Sequence, residues 1–115
     1  GCYAFLVNAK ARIQSDLNIY RLADELLLDF EPGLTETVTH RLDQYVIADD
    51  VQLVDASPHY SLLSVQGPKA AYALAALGWI EKAPEKCRQI LTASVDGIGE
   101  IYVARLPRTG SDGFD

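Results

Sequence analysis

Residues 3–22, YAFLVNAKARIQSDLNIYRL, decide the fold of this chain because they form two strand-like runs around a short turn. Counting in twos from Ile13 divides the second run into two faces. One face carries three apolar side chains and a serine: Ile13, Ser15, Leu17 and Ile19. The other face carries Gln14, Asp16, Asn18 and Tyr20. The pattern predicts a hairpin with one apolar and one polar face.

The polar face has an unusual composition for a strand. Aspartate and asparagine are poor strand formers, so a row that combines them with glutamine is not what a merely solvated face would select. The row therefore indicates a binding surface with Asp16 at its centre. The alternative is an ordinary exposed sheet face on which Asp16 is only solvated, and residue spacing alone favours this alternative.

Composition limits the class of protein. At 115 residues the chain is one domain or part of one. Hydrophobic residues make up 49% of the chain, yet no apolar run reaches membrane-spanning length, so we expect a globular protein without a membrane partner. The net charge is −6 and no stripe of lysine and arginine is present. Nucleic-acid binding depends on clustered positive charge, so we expect no nucleic-acid partner.

The cysteines and histidines are isolated in the sequence. Cys2 and Cys87 lack CxxC spacing, and in an acidic chain without a signal peptide they are typical of free thiols in a reducing cytosol, which predicts a cytoplasmic protein. His40 and His59 have no cysteine or glutamate at zinc-motif spacing. We therefore expect no metal site.

The rest of the chain alternates between strand-like and helix-like segments. Residues 25–30 predict a third strand, and an apolar stripe predicts a first helix that ends at Asp49 and Asp50. The stripe consists of Leu34, Val38, Leu42, Tyr45 and Val46. Residues 51–55 and 60–66 predict two further strands. Pro68 suits the first turn of a second helix that Gly78 closes.

The last third predicts a second hairpin. Residues 79–88 are ambiguous, with a possible helical turn after Pro84. Residues 89–95 and 100–106 are strand-like and flank a glycine-containing turn. Residues 108–115, RTGSDGFD, form a turn-rich loop that leads into another strand. Because this order lacks regular βα alternation, it predicts an α+β fold with a mostly antiparallel sheet and helices on one face.

Four segments, in order, resemble the aminomethyltransferase family, which includes the glycine cleavage T-protein and folate-binding relatives that assist iron–sulfur proteins. The segments are LVNAKARIQSDLNIYRL, YVIADDV, LLSVQGPKA and RTGSDGFD. The resemblance covers nearly the whole chain. It implies that residues 1–115 are a single partial domain, a fragment of a folate-binding domain with further elements on both sides.

The resemblance also implies a role for Asp16. The family places an aspartate on this strand, close to the folate nitrogens, and T-proteins often carry another acidic residue at the position of Ser15. A carboxylate there accepts a hydrogen bond from an N–H and stabilises positive charge that develops during one-carbon transfer. The role requires the Asp16 carboxylate to face a pterin ring rather than water.

Two further positions are implied as cofactor-binding residues, and both depart from the family pattern. The tail of this chain resembles the family sequence RTGYTGEDGFE, whose final glutamate binds the pterin ring. Here Asp115 takes the place of that glutamate, and the tyrosine is absent. Glu31 lies where T-proteins use asparagine to contact folate. The alternative for Asp115 is a strand-start or chain-end carboxylate. The alternative for Glu31 is a turn residue whose charge favours a helix N-terminus.

These features imply part of the tetrahydrofolate-binding domain of an aminomethyltransferase-like one-carbon transfer protein. A lipoyl carrier protein would then be a partner. The alternative is a non-catalytic folate-binding accessory protein for iron–sulfur cluster assembly or repair, with iron–sulfur proteins as partners. The shortened tail and altered turn both depart from a standard T-protein and fit a divergent aminomethyltransferase-like protein or the accessory group, and the loss of the tyrosine favours the accessory group. A protein-interaction module without any ligand remains a third.

Overall fold

The computed structural model describes residues 1–47 and 50–115. The strands are β1 Cys2–Val7, β2 Ile13–Arg21, β3 Leu26–Asp29, β4 Val65–Gln66, β5 Ile90–Val95, β6 Gly99–Ala104 and β7 Gly113–Phe114. The helices are α1 Thr35–Asp43, α2 Ala70–Leu77 and a 3-10 helix at Ser57–His59. The predicted α+β class is confirmed. Both predicted hairpins and the third strand are present, and β7 lies inside residues 108–115, which the sequence predicts as a loop.

The strands form three sheets in the described part of the chain. Their orders are β1-β2-β3, β4-β7 and β5-β6, and the β1-β2, β4-β7 and β5-β6 pairs are antiparallel. The chain divides into two compact units. The first unit comprises residues 2–19 and 28–61, and the second comprises residue 1, residues 20–27 and residues 62–115.

A β-bulge in β2 changes the predicted faces of the first hairpin. Leu6 pairs with Ser15, but the next residue of β1, Val7, pairs with Ile13, so Gln14 is the extra residue. This shift moves Ile13 to the same side as Val7, away from Leu17. Ile13 is accordingly 61% exposed, whereas Leu17 is buried. The prediction that Ile13 shares the buried face is wrong, because alternation is interrupted at the bulge.

The first helix is shorter than its apolar stripe predicts. Val38 is buried on α1, but α1 ends at Asp43 and Tyr45 is exposed beyond it. Glu36 in the first turn and Arg41 in the last turn suit the helix dipole. The predicted stop begins at Asp49, which lies outside the described residues.

The two strands predicted at residues 51–55 and 60–66 are mostly wrong. Only Val65–Gln66 is a strand, and the segment before it contains the 3-10 helix. Val51 and Val54 are exposed, so these strand-forming residues have no buried face to fill. Strand propensity without a partner strand or a packing surface does not make a strand. Residues 79–88 contain no helix.

The second unit has a small core around α2. The core consists of Ala70, Leu74, Val103 and Phe114. The small alanine-rich surface of α2 allows contact with β4 and β7. Gly78 closes α2 in the left-handed conformation, at φ 66°, as its position predicts. Among the described residues, no helix combines the length and apolar character that crossing a bilayer demands.

Candidate functional site

The outward side of the β1-β2 hairpin is the candidate site, here called the Asp16 face. It consists of Tyr3, Phe5, Val7, Ile13, Asp16 and Asn18. Residues directly opposite each other in an antiparallel pair present their side chains to the same side. The register pairs Tyr3 with Asn18, Phe5 with Asp16 and Val7 with Ile13, so three cross-strand rows build the face.

Apolar side chains surround the carboxylate on this face. Tyr3 is 45% exposed and Phe5 56%. Val7 is 38% exposed and Ile13 61%. Contiguous exposed apolar side chains are more typical of binding or packing surfaces than scattered ones are. The face is therefore more apolar than the sequence predicts, because β1 and the bulge add hydrophobic groups to the polar row.

Asp16 is exposed, so its carboxylate points outward from the hairpin. The hydroxyl of Tyr3 donates a hydrogen bond to its Oδ2 at 2.8 Å. The rings of Tyr3 and Phe5 form an edge-to-face pair with centroids 5.3 Å apart. Beside them, Nδ2 of Asn18 donates to Oδ2 of Asp29 at 3.2 Å. A carboxylate, an amide and an aromatic pair thus share one surface.

The predicted polar row ends earlier than alternation indicates. Tyr20 is only 3% exposed, so it is not part of the outward surface. Ser15 is also buried, and its hydroxyl donates to the backbone carbonyl of Asp16 at 3.0 Å. Oε1 of Gln14, at the bulge, is buried without a hydrogen-bond partner among the described residues. Such an acceptor is costly unless another group satisfies it.

In the second unit, Asp115 lies at the centre of a polar cluster. The side chain of Asp115 is only 5% exposed. The Nε and Nη2 atoms of Arg108 each lie 2.7 Å from its Oδ2. The hydroxyl of Ser64 donates to its Oδ1 at 2.6 Å, and Nε2 of Gln66 lies 3.5 Å from the same oxygen. Both carboxylate oxygens are therefore engaged within the chain.

Gln66 connects this cluster to the tail loop. Its Nε2 also donates to Ser64 at 2.9 Å and to the carbonyl of Leu106 at 3.1 Å. Its Oε1 accepts the backbone N–H of Arg108 at 3.0 Å. The amide covers Gly113 so closely that a Cβ there would lie 2.0 Å from Oε1. Glycine at position 113 is therefore what allows Gln66 to hold both ends of the loop.

The third predicted residue, Glu31, lies in an exposed turn. Its carbonyl accepts the backbone N–H of Leu34 at 3.4 Å, and Gly33 has a φ of 86°. Asp16 and Glu31 belong to the first unit, whereas Asp115 belongs to the second. The binding roles of all three stay predictions.

Sequence reasoning missed the residues that contact the predicted ones. Tyr3 and Phe5 are two positions apart on β1, and this aromatic alternation was a signal that the outward side of β1 carries rings. Ser64 and Gln66 lie within the LLSVQGPKA segment, but their contact with Asp115 spans about fifty residues and no local pattern predicts it. Within the described residues, no three histidine, cysteine or acidic side chains are placed to hold a metal ion.

Comparison with known proteins gives consistent matches. A family model described as the GCVT N-terminal domain matches residues 1–115. An aminomethyltransferase of Thermus thermophilus is 31% identical over 115 residues, which are 98% of this chain and 32% of that protein. The aminomethyltransferase of Saccharopolyspora erythraea is 31% identical over 114 residues, which are 98% of this chain and 31% of that protein.

These relatives are longer than this chain, which spans about a third of their length. No solved structure gives a significant match.

Proposed function

This chain belongs to the aminomethyltransferase family, whose GCVT N-terminal domain it matches throughout, and we propose that it forms part of a tetrahydrofolate-binding domain in a one-carbon transfer protein. The observation that carries the proposal is the placement of Asp16 beside the Tyr3–Phe5 aromatic pair on an outward sheet face. The longer parent protein supplies the rest of the folate site.

The chemistry of the Asp16 face suits a planar ligand that carries N–H groups. Aromatic and aliphatic side chains contact the face of a ring, and a carboxylate between them accepts an N–H. Asp16 then stabilises positive charge that develops on the neighbouring nitrogen, which is electrostatic stabilisation by a fixed group. Such stabilisation is stronger once the ligand and the rest of the parent exclude water.

The test is calorimetry of the full-length parent with tetrahydrofolate. We expect Asp16→Asn to weaken binding by roughly tenfold to a hundredfold, the range for a hydrogen bond to a charged group. The matched control is Glu100→Gln, because Glu100 is an exposed strand carboxylate that also accepts a tyrosine hydroxyl, from Tyr102 at 2.5 Å. Tight binding that Asp16→Asn leaves untouched removes Asp16 from the site.

Residues 1–115 alone should bind tetrahydrofolate weakly or not at all. Asp16 is exposed, so a ligand on this face would remain open to water without the rest of the parent. The comparison is calorimetry of the 115-residue chain against the parent under identical conditions. Equal affinities would show that the face suffices by itself.

A second candidate is the non-catalytic folate-binding role in iron–sulfur cluster assembly or repair. The observation that favours it is Asp115, because a carboxylate held by Arg108 and Ser64 is less available to grip a pterin ring. An assay of the parent with tetrahydrofolate and an aminomethyl-loaded lipoyl carrier separates the candidates. Methylene-tetrahydrofolate formation supports the enzyme, whereas folate binding without turnover supports the accessory role.

A further inference from the structure

We propose that Tyr3 is a positioning residue for Asp16, holding one carboxylate oxygen so that the other is presented to the ligand. The inference rests on the function proposed above, since it concerns the same face. It assigns a role to a residue on the neighbouring strand that no sequence motif singled out.

The hydrogen bond between the two side chains crosses the hairpin diagonally. Asp16 is paired directly with Phe5, and Tyr3 is paired with Asn18, two residues further along β2. A tyrosine is long enough to reach a diagonal neighbour, and its Oη lies 2.8 Å from Oδ2 of Asp16. A hydroxyl that donates to a carboxylate forms a charge-assisted bond, which is stronger than a neutral one.

The Tyr3 ring is itself held in place. Phe5 contacts it edge-to-face, with 73° between the ring planes. Edge-to-face pairs contribute beyond the area that they bury. Phe5 is also the direct cross-strand partner of Asp16, so both rings share the face of the hairpin that carries the carboxylate.

Asp16 depends on this contact for its orientation. Within residues 1–47 and 50–115, no other side chain donates a hydrogen bond to its carboxylate. An exposed aspartate otherwise samples several rotamers, and fixing one of them costs free energy when the ligand binds. The hydrogen bond from the Tyr3 hydroxyl fixes the Asp16 rotamer before the ligand binds, so binding no longer carries this cost. Oδ2 already accepts one hydrogen bond from Tyr3, whereas Oδ1 keeps both of its acceptor sites for a ligand N–H.

The experiment measures tetrahydrofolate affinity of the full-length parent by calorimetry. Tyr3→Phe removes the hydroxyl and keeps the ring against Phe5, and we expect binding to weaken roughly three- to tenfold, as for one lost hydrogen bond. Tyr102→Phe is the matched control, because it removes the hydroxyl of the tyrosine–carboxylate pair with Glu100 in the other hairpin. We expect it to leave the affinity unchanged.

A double-mutant cycle tests whether Tyr3 acts through Asp16. In the Asp16→Asn background, Tyr3→Phe should have little further effect, because the carboxylate that it positions is gone. A role of Tyr3 in fold stability alone would give effects that multiply in the double variant. Melting temperatures of the four proteins establish that each is folded.

The outcomes separate the two proposals. If Asp16→Asn weakens binding and Tyr3→Phe does not, or if the effects multiply, the positioning role is overturned and the folate site stands. If the wild-type parent does not bind tetrahydrofolate, both proposals are overturned. Non-multiplying losses in the two single variants support both.

Discussion

Asp16 is a charged side chain among exposed apolar neighbours, and this contrast determines what can cover it. Removing the exposed side chains of Phe5 and Ile13 from water is favourable. Removing the Asp16 carboxylate from water is unfavourable unless it is paired. A ligand or domain that covers the Asp16 face must therefore bring a hydrogen-bond donor or a positive charge to the Asp16 carboxylate. A purely apolar partner would leave a buried charge.

Gly113 offers a stability test at the residue scale. In Gly113→Ala, the new Cβ occupies the place of the Gln66 amide, so the amide must move and give up bonds to Leu106 and Arg108. We expect the variant to lower the free energy of unfolding by about 1–3 kcal/mol, since overpacking and lost hydrogen bonds are each of that order. Urea denaturation measures the change.

The control for this prediction is Gly113→Ala in a variant that lacks the Gln66 side chain. In a Gln66→Ala background, Gly113→Ala should cost much less, because the space that the Cβ needs is open. Equal costs of Gly113→Ala in both backgrounds would contradict the close contact between the two residues.

At the scale of elements, sequence pattern predicted what is local. The hairpins, α2 with its glycine stop and β3 all follow from periodicity and turn residues. The bulge at Gln14 could not be predicted, because an extra residue is visible only in the pairing of two strands. Alternation separated Asp16 from the buried Leu17, but the exposure of its carboxylate to water and its contacts with Tyr3 and Phe5 depend on that register. The contact of Gln66 with Asp115 depends on the tertiary fold.

The 3-10 helix at Ser57–His59 gives a prediction about pH. The pKa of Asp55 lies below its ordinary value of 3.8, mainly because of a side-chain hydrogen bond from Ser57, with a second from the Ser57 backbone N–H at 2.9 Å. A lowered pKa in the folded state stabilises it above pH 3.8, and this stabilisation disappears as pH falls through the folded-state value. Carboxyl NMR titration should show the Asp55 midpoint below 3.8.

Two serine variants test the cause of the lowered pKa. Ser57→Ala removes the side-chain donor and should move the Asp55 midpoint toward 3.8. Ser61→Ala, at an exposed serine nearby, should leave it in place. A midpoint that does not respond to Ser57→Ala would assign the lowered pKa to another group.

At the scale of the whole molecule, much of the apolar surface is exposed. The buried cluster around α2 contains four residues, whereas many large hydrophobic side chains outside it face water. They include Leu26, Ile47, Val54, Leu62, Leu63 and Tyr72. This chain spans about a third of the length of its relatives, and we propose that further parts of a longer parent cover this surface.

We therefore expect the isolated 115-residue chain to bind a hydrophobic dye such as ANS and to self-associate as its concentration rises. Exposed apolar groups favour both, and the net charge of −6 opposes association only over a short range at physiological salt. Light scattering with size-exclusion chromatography and dye fluorescence measure these effects, with the full-length parent as control. A monomeric chain that binds no more dye than the parent would contradict the expectation.

The bulge at Gln14 has a practical consequence for mutagenesis. The outward row of β2 joins Ile13 to Asp16 across three positions, a spacing that a regular strand never uses. A library that diversifies every second residue starting from Ile13 would randomise Ser15 and Leu17, which are interior, and would leave Asp16 untouched. Variants intended to alter ligand choice should instead sample Ile13, Asp16 and Asn18 together with the odd-numbered positions of β1.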